Sequence, residues 1–469
     1  MASRLKLTES QAARYAKDLV LGRAGPVEYL HDCPWVPEPG LIPGLTSRAQ
    51  AITVEPGQPG QLQRAIDRAI AAAQISDHRG PLHLALLPGR YDGLVYLPHA
   101  EISGKPLRIT LTGMGQSPAD VEICANIDAE MPGAEYLRRF GAQIAQAGPE
   151  AGRIYTQIAA SERLSTAFAS VVRVEAADTR LANLTIRNSY NCDRAAAAEG
   201  DKRLNAQGQY AQGQHQAVAL LVAGADRVAL DRLHLRSHQD TLYLQGPAPG
   251  VVARAALTNC HIEGDVDFIF GQMAAHFHRC TLKSLGHRAP MAWVTAPATH
   301  IHAPYGFVFE ECDFTHDGSA AALSQRFLLG RQWFEGVRAT PYGRAPMAGY
   351  RCDYGPSSRY DPPLGVINRK SLEAVGKCIL LKCRLGAHLN PAMPWGDWNG
   401  GAYDAAGRYH PAPWHPRYRP VQSQAGDFLA ELGPWLAAQG LDFSGLDPKE
   451  PWLAEYQSQA LAEDASQTG

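Results

Sequence analysis

Six copies of one five-residue pattern, spread between Ala182 and Leu385, constrain the fold of this 469-residue chain more than any bulk property. Each copy is two residues, a Leu or Cys, any residue, and then a Leu, Ile or Phe. The copies are ANLTI with Leu184 and Ile186, DRLHL with Leu233 and Leu235, TNCHI with Cys260 and Ile262, HRCTL with Cys280 and Leu282, EECDF with Cys312 and Phe314, and LKCRL with Cys383 and Leu385. Alternation at period two puts both apolar residues of a copy on one side of a strand. From Leu184 through Leu233, Cys260, Cys280 and Cys312 to Cys383, the three middle steps are short and the first and last are long. The short steps, about 20 to 32, suit one coil of a parallel β-helix. The long ones suit two or three coils with insertions. An all-β parallel β-helix is expected from about Pro81 to about Leu385, with Gly, Pro, Asn and Asp in the turns.

The flanks read differently. Residues 1–50 form an N-terminal extension with a short helix, Thr8 as its cap and Gln11 closing a capping box. Residues 51–400 are the β-helix domain. Within it Leu62, Ile66 and Ile70 mark one face of a helix over 61–74. Two insertions interrupt the coils: 126–166, partly helical, and 191–214, a polar loop suited to walling a groove. Residues 401–469 are a C-terminal extension, partly helical, where Asp447, Pro448 and Glu450 read as a helix start ahead of Trp452 and Leu453. A formal net charge of −2 gives no electrostatic case for nucleic acid. No apolar run approaches the roughly 20 residues of a membrane span. The opening residues lack the apolar stretch of a signal peptide, which leaves an intracellular protein or one whose leader was removed.

Asp240 and Asp267 carry the chemistry. Each occupies the same phase after the first apolar residue of its copy, Leu233 or Cys260, so the two are equivalent positions on successive coils, about 4.8 Å apart. Two carboxylates that close cannot both ionise without a penalty, so one is held protonated and the other charged. One can then serve as nucleophile and its neighbour as general acid. The alternative is a calcium site or an asparagine-ladder-like turn, since Asp265 and Asp267 fall on one strand face.

At this point the sequence resembles the pectinesterases, carbohydrate esterases that demethylate pectin. QAVAL (Gln216–Leu220), QDTLY (Gln239–Tyr243), GDVDFIFG (Gly264–Gly271) and LGRQW (Leu329–Trp333) are similar to the family's four signature motifs, in order and with suitable gaps. PGRYDGLVYLP (Pro88–Pro98) and PAMPWGDW (Pro391–Trp398) resemble its early and late motifs. The resemblance spans roughly residues 50 to 400 and implies a right-handed parallel β-helix. It implies Asp267 as the nucleophile on the C6 ester carbonyl of methylated galacturonate. It implies Asp240 as the acid for the leaving methanol and then the base for water. Gln239 and Gln216 match the oxyanion amides, and Arg331 the guanidinium paired with the nucleophile. Trp333, Phe270, Tyr243 and Met393 match substrate-groove positions, with core packing an equal reading for Phe270. Val266 and Phe268 read as strand packing.

Three positions depart from the family pattern. Gly93 stands where Glu is usual, Asp265 replaces Thr or Ser, and Gln332 replaces Pro. Asp265 adds a third carboxylate that either raises the proton affinity of its neighbours or faces solvent. GDVD and the insertions resemble a bacterial subgroup that includes outer-membrane lipoprotein pectinesterases and proteins assigned as acyl-CoA thioesterases. Cys260 and Cys280 match a pair found in some bacterial relatives; buried reduced thiols are the other reading. His276 with His278, and His300 with His302, each share a strand face without a third ligand at a convincing spacing. The expectation is a monomeric, exported pectin methylesterase acting on pectin or methylated oligogalacturonides, with no cofactor, no metal and no membrane span. The alternatives are an esterase or acyl thioesterase on another substrate, a lyase or glycosidase on the same fold, and a non-catalytic carbohydrate-binding solenoid.

Overall fold

The computed structural model describes residues 4–461 apart from 38–50, 193–215, 289, 334–339, 343–349, 354–364, 399–400, 404–408, 412–414 and 416. Three parallel sheets of nine, eight and ten strands, counted among the described residues, run the length of the molecule. Each coil visits them in that order. The coil carrying Asp267, for example, runs through His261–Gly264 in the nine-stranded sheet, Ile269–Gly271 in the eight-stranded sheet and Ala274–His278 in the ten-stranded sheet. The chain is thus a parallel β-helix.

The recurring pattern sets the register of the nine-stranded sheet. Ile186, Leu235, Ile262, Leu282, Phe314 and Leu385 are direct partners on six successive strands. All but Leu385 are fully buried, and the column forms part of one continuous apolar core. The second residue of each copy is a bend. Asn183, Arg232, Asn259, Arg279, Glu311 and Lys382 all have φ between +49° and +54°. That left-handed turn swings the chain from the ten-stranded sheet into the nine-stranded one.

Two expectations change. The two long steps, Leu184 to Leu233 and Cys312 to Cys383, are single coils, because Ile186 pairs directly with Leu235 and Phe314 with Leu385. The extra residues therefore add no strand pair between those neighbours in the nine-stranded sheet. Asp447, Pro448 and Glu450 do not start a helix. Leu453–Tyr456 is a strand that pairs with Cys378–Leu381, and Gln459–Ala460 pairs with Arg384–Leu385. An unpaired sheet edge offers a ladder of backbone donors and acceptors, which outweighs a local capping signal. The helix of this region is Ala425–Ala438, which buries Phe428, Leu432 and Leu436 against the fully buried Trp452.

The other flanking elements fall where the sequence puts them. Thr8 caps Glu9–Ala12 in a capping box with Gln11. Leu7, Tyr15, Val20 and Leu21 cover the outer face of the ten-stranded sheet at Ala256, Val308 and Ile379. The helix Gln61–Ile75 buries Leu62, Ile66 and Ile70. The 126–166 insertion holds two packed helices, Gly133–Ile144 and Pro149–Ala159. Most of the 191–214 insertion lies outside the described residues. Both insertions leave the coil between the nine- and eight-stranded sheets, at one corner of the solenoid.

Candidate active site

That corner is where Asp240 and Asp267 sit. Leu242 pairs with Ile269, and the ladder continues upstream: Asp240 N–H donates to Val266 O at 3.0 Å and Leu242 N–H to Phe268 O at 2.8 Å. The two aspartates are therefore in register on adjacent coils. Both adopt left-handed backbone, φ +66° for Asp240 and +50° for Asp267. Strained non-glycine residues of this kind cluster at functional sites. They occupy the turn into the eight-stranded sheet and are only 7% and 6% exposed.

A bulge brings the two glutamines together. Leu220 pairs with Leu242, whereas Gln216 pairs with Gln239, so the register between the two strands shifts by one position. The extra residue is absorbed where Ala219 and Leu220 both donate to Thr241 O, at 2.9 and 3.2 Å. Without it Gln216 would face His238. Bulges re-aim side chains in this way beside active sites. Gln216 keeps one buried amide atom, Oε1, without a protein partner. The flipped amide, with nitrogen and oxygen exchanged, would present an N–H there instead.

Arg331 reaches Asp267 from two coils away. Its Nε and Nη2 donate to the two carboxylate oxygens at 2.9 and 2.6 Å, a bidentate fork. Ala296 occupies the intervening coil in the Arg331 column and leaves room for the long side chain. The guanidinium carbon lies 4.3 Å from the centre of the Trp293 ring and 4.5 Å from that of Trp398. Burial, then the Asp267 charge, pushes the Asp240 carboxyl well above the usual range, with Asp265 adding to the effect and Arg331 opposing it. Asp240 thus has its proton affinity raised beside a carboxylate locked to a cation. The calcium alternative does not fit this geometry: Asp267 is turned to Arg331 and Asp265 to Arg288, at 2.7 Å, so the pair opens no shared cation site.

The aromatic residues divide. Tyr243 and Phe270 stack at 4.1 Å on the outer face of the eight-stranded sheet and are nearly sealed, 2% and 3% exposed. They form the floor under the half-buried Trp333, whose ring stands edge-on to both at 6.3 and 5.7 Å. Phe270 is thus packed against Tyr243 and Trp333 on the outer face of the sheet. Phe268 lies in the solenoid core, whereas Val266 is only half-buried. Met393 is exposed in the turn before Trp395. By register it continues the column of Asp240, Asp267, Trp293 and Leu328. Trp293 and Trp398 were missed as partners of Arg331, although Trp293 can be found by stepping one coil on from Asp267.

The departures have structural reasons. A side chain at Gly93, φ +115°, would meet Gln143 of the insertion helix at 2.5 Å, so the helix occupies the space a Glu would need. The Gln332 amide donates to Val375 O and Gln422 O at 2.7 and 3.0 Å, which proline could not do. Asp265 does not face solvent. Cys260, Cys280, Cys312 and Cys383 are free, buried thiols along the inner column. His276 and His300 face Glu310 and Glu373, both at 3.2 Å.

Similar proteins include pectinesterases and a protein of Escherichia coli assigned as an acyl-CoA thioester hydrolase, 28% identical over 63% of this chain and 65% of that protein. A model of the Pectinesterase family matches residues 201–340. Pectinesterase B of Dickeya dadantii is 30% identical over 355 residues, 72% of this chain and 76% of that protein. A pectinesterase of Sitophilus oryzae is 31% identical over 276 residues, 59% of this chain and 65% of its relative, just under two thirds of that protein's length. The solved structure of rice weevil pectin methyl esterase superposes with a TM-score of 0.65 at 24% identity, covering 98% of each chain.

Proposed function

This chain belongs to the pectinesterase family, and from that membership we propose that it is a pectin methylesterase, hydrolysing C6 methyl esters of polygalacturonate to carboxylate and methanol. The observation that carries the reading is the Arg331 fork on Asp267 beside a buried Asp240 in register on the adjacent coil. In this reading an Asp267 oxygen attacks the ester carbonyl, and the amides of Gln239 and Gln216 donate to the tetrahedral oxyanion. Asp240 gives its proton to the departing methoxy oxygen, leaving an acyl-enzyme anhydride. Asp240, now charged, takes a proton from water as it attacks the galacturonyl carbonyl; the bond to Asp267 breaks, Asp267 leaves as carboxylate, and the galacturonic acid gives up its proton to solvent. Neutral amides suit the oxyanion because they donate without quenching the acid, and loss of one such donor commonly costs about 10²- to 10³-fold in turnover. Trp333 offers an aromatic face to the sugar rings. The reading carries with it a pectin or oligogalacturonide partner, export to where that polymer is found, and a monomer whose catalytic unit is the solenoid.

The test is methanol release from highly methylated pectin, wild type beside Asp267→Asn. The expected result is turnover by the wild type and loss of at least about 10³-fold in the variant. A folded wild type that releases no methanol overturns the pectin reading and turns attention to short-chain esters and acyl thioesters.

A further inference from the structure

Behind the catalytic pair lies a second ion pair, its carboxylate enclosed and its guanidinium partly exposed. Asp265 is 1% exposed. Its Oδ2 accepts from Arg288 Nε at 2.7 Å, and its Oδ1 accepts from Arg288 Nη2 at 3.1 Å and from the Val266 N–H at 2.7 Å. Its backbone ties two neighbouring coils together. The Asp265 N–H donates to His238 O at 3.0 Å, just before Gln239 and Asp240, and its carbonyl accepts from Trp293 N–H at 2.9 Å, beneath Arg331. Arg288 comes from the turn between Thr281–Ser284 and Trp293–Pro297, and its Nη1 also reaches Cys192 Sγ at 3.6 Å.

Burying an ion pair is costly and seldom repaid in stability alone. This one sits two positions before the nucleophile in the chain and one coil from the acid. We propose, on the esterase reading above, that Asp265 and Arg288 are a positioning pair that sets how tightly Asp240 holds its proton. The charged groups that act on the Asp240 carboxyl are Asp267, Arg331 and, more weakly, Asp265. Asp265 in turn faces Arg288 and His238, with His287 and Glu263 beyond His238. His238 is pushed down to about 4 by burial and by Arg288, which favours its neutral form near pH 7. That leaves Asp265 and Arg288 as the opposed charges of this second layer. The Asp265 charge favours the protonated acid; Arg288 limits that effect and keeps the carboxylate from facing Asp240 unpaired.

The two single substitutions therefore act in opposite directions. Asp265→Asn removes the negative charge and leaves Arg288, so Asp240 should release its proton at lower pH. Arg288→Met leaves the Asp265 charge without its guanidinium, beside a buried His238 at 3.8 Å, so Asp240 should hold its proton to higher pH. The double variant should return close to wild type. The readout is the Asp240 carboxyl itself: the infrared C=O band of the protonated acid, taken as each protein minus the same protein carrying Asp240→Asn, followed across pH. Opposite movements on the order of one pH unit are expected, mirrored in the alkaline limb of kcat/KM for methanol release. A band that titrates at the same pH in all four proteins, or moves the same way in both single variants, overturns the proposal. A wild type that releases no methanol counts against the pectin reading, and the infrared titration still decides the role of the pair.

Discussion

Asp240 is the residue on which the site turns, because burial and the Asp267 charge raise its proton affinity at a cost to the fold. Its folded pKa is raised above the unfolded value of about 3.9. Between those two values the unfolded chain has lost the proton and the folded chain has not. Rising pH then favours unfolding, and the contribution present below about pH 4 is lost as pH climbs toward the folded value. Asp240→Asn has no proton to lose. It is expected to melt at higher temperature than wild type above pH 4, by a margin that widens with pH, while methanol release disappears. Thermal unfolding in a pH series checks this; a margin independent of pH would show that the carboxyl is not held protonated. The residue scale also separates two roles for aromatic rings. Tyr243 and Phe270 support the floor, whereas Trp293 and Trp398 hold the guanidinium that orients Asp267.

At the scale of the element, each coil depends on one left-handed bend. Asn occupies it at positions 183 and 259, and Arg at 232 and 279. Asn tolerates this conformation because its short polar side chain bonds locally, whereas a β-branched residue does not. Arg279 is exposed, and its ion pair with Glu311 is a surface contact of small worth. Arg279→Asn is therefore expected to leave stability within about 0.5 kcal/mol of wild type, and Arg279→Val to lower it by about 1–3 kcal/mol. Urea denaturation distinguishes them, and equal values for the two would mean that the bend is not under steric strain. The bulge at Ala219–Leu220 is the other element-scale device. It shifts one strand by a single position and thereby sets Gln216 beside Gln239.

At the scale of the whole molecule, the solenoid is closed by distant parts of the chain. Trp452 is wholly buried against the C-terminal helix, and its carbonyl accepts the Cys378 N–H at 2.7 Å as the last strand joins the ten-stranded sheet. Trp452→Ala is expected to lower stability by about 3–5 kcal/mol. Truncation before Pro451 should bare the edge of Cys378–Leu381 and cause self-association. Light scattering of the truncated chain tests this, and a monodisperse monomer would contradict it. Much of this architecture is legible in the sequence, because an interior column needs an apolar residue at the same phase of every coil. Leu235, Ile262, Leu282 and Phe314 record that need directly. The equivalence of Asp240 and Asp267 follows from the same repeat, and the motifs around them point to the family. Sequence could not reveal that the two long steps of the repeat are single coils, since an excursion leaves the repeat unmarked. Nor could it reveal the strand at Leu453–Tyr456, whose pairing partner Cys378–Leu381 lies far upstream in the chain. The bulge, the placing of Trp398 against Arg331 and the Asp265–Arg288 pair were settled only by tertiary structure, because each depends on where one coil's turn stands over the next, a distance in space that no local spacing encodes.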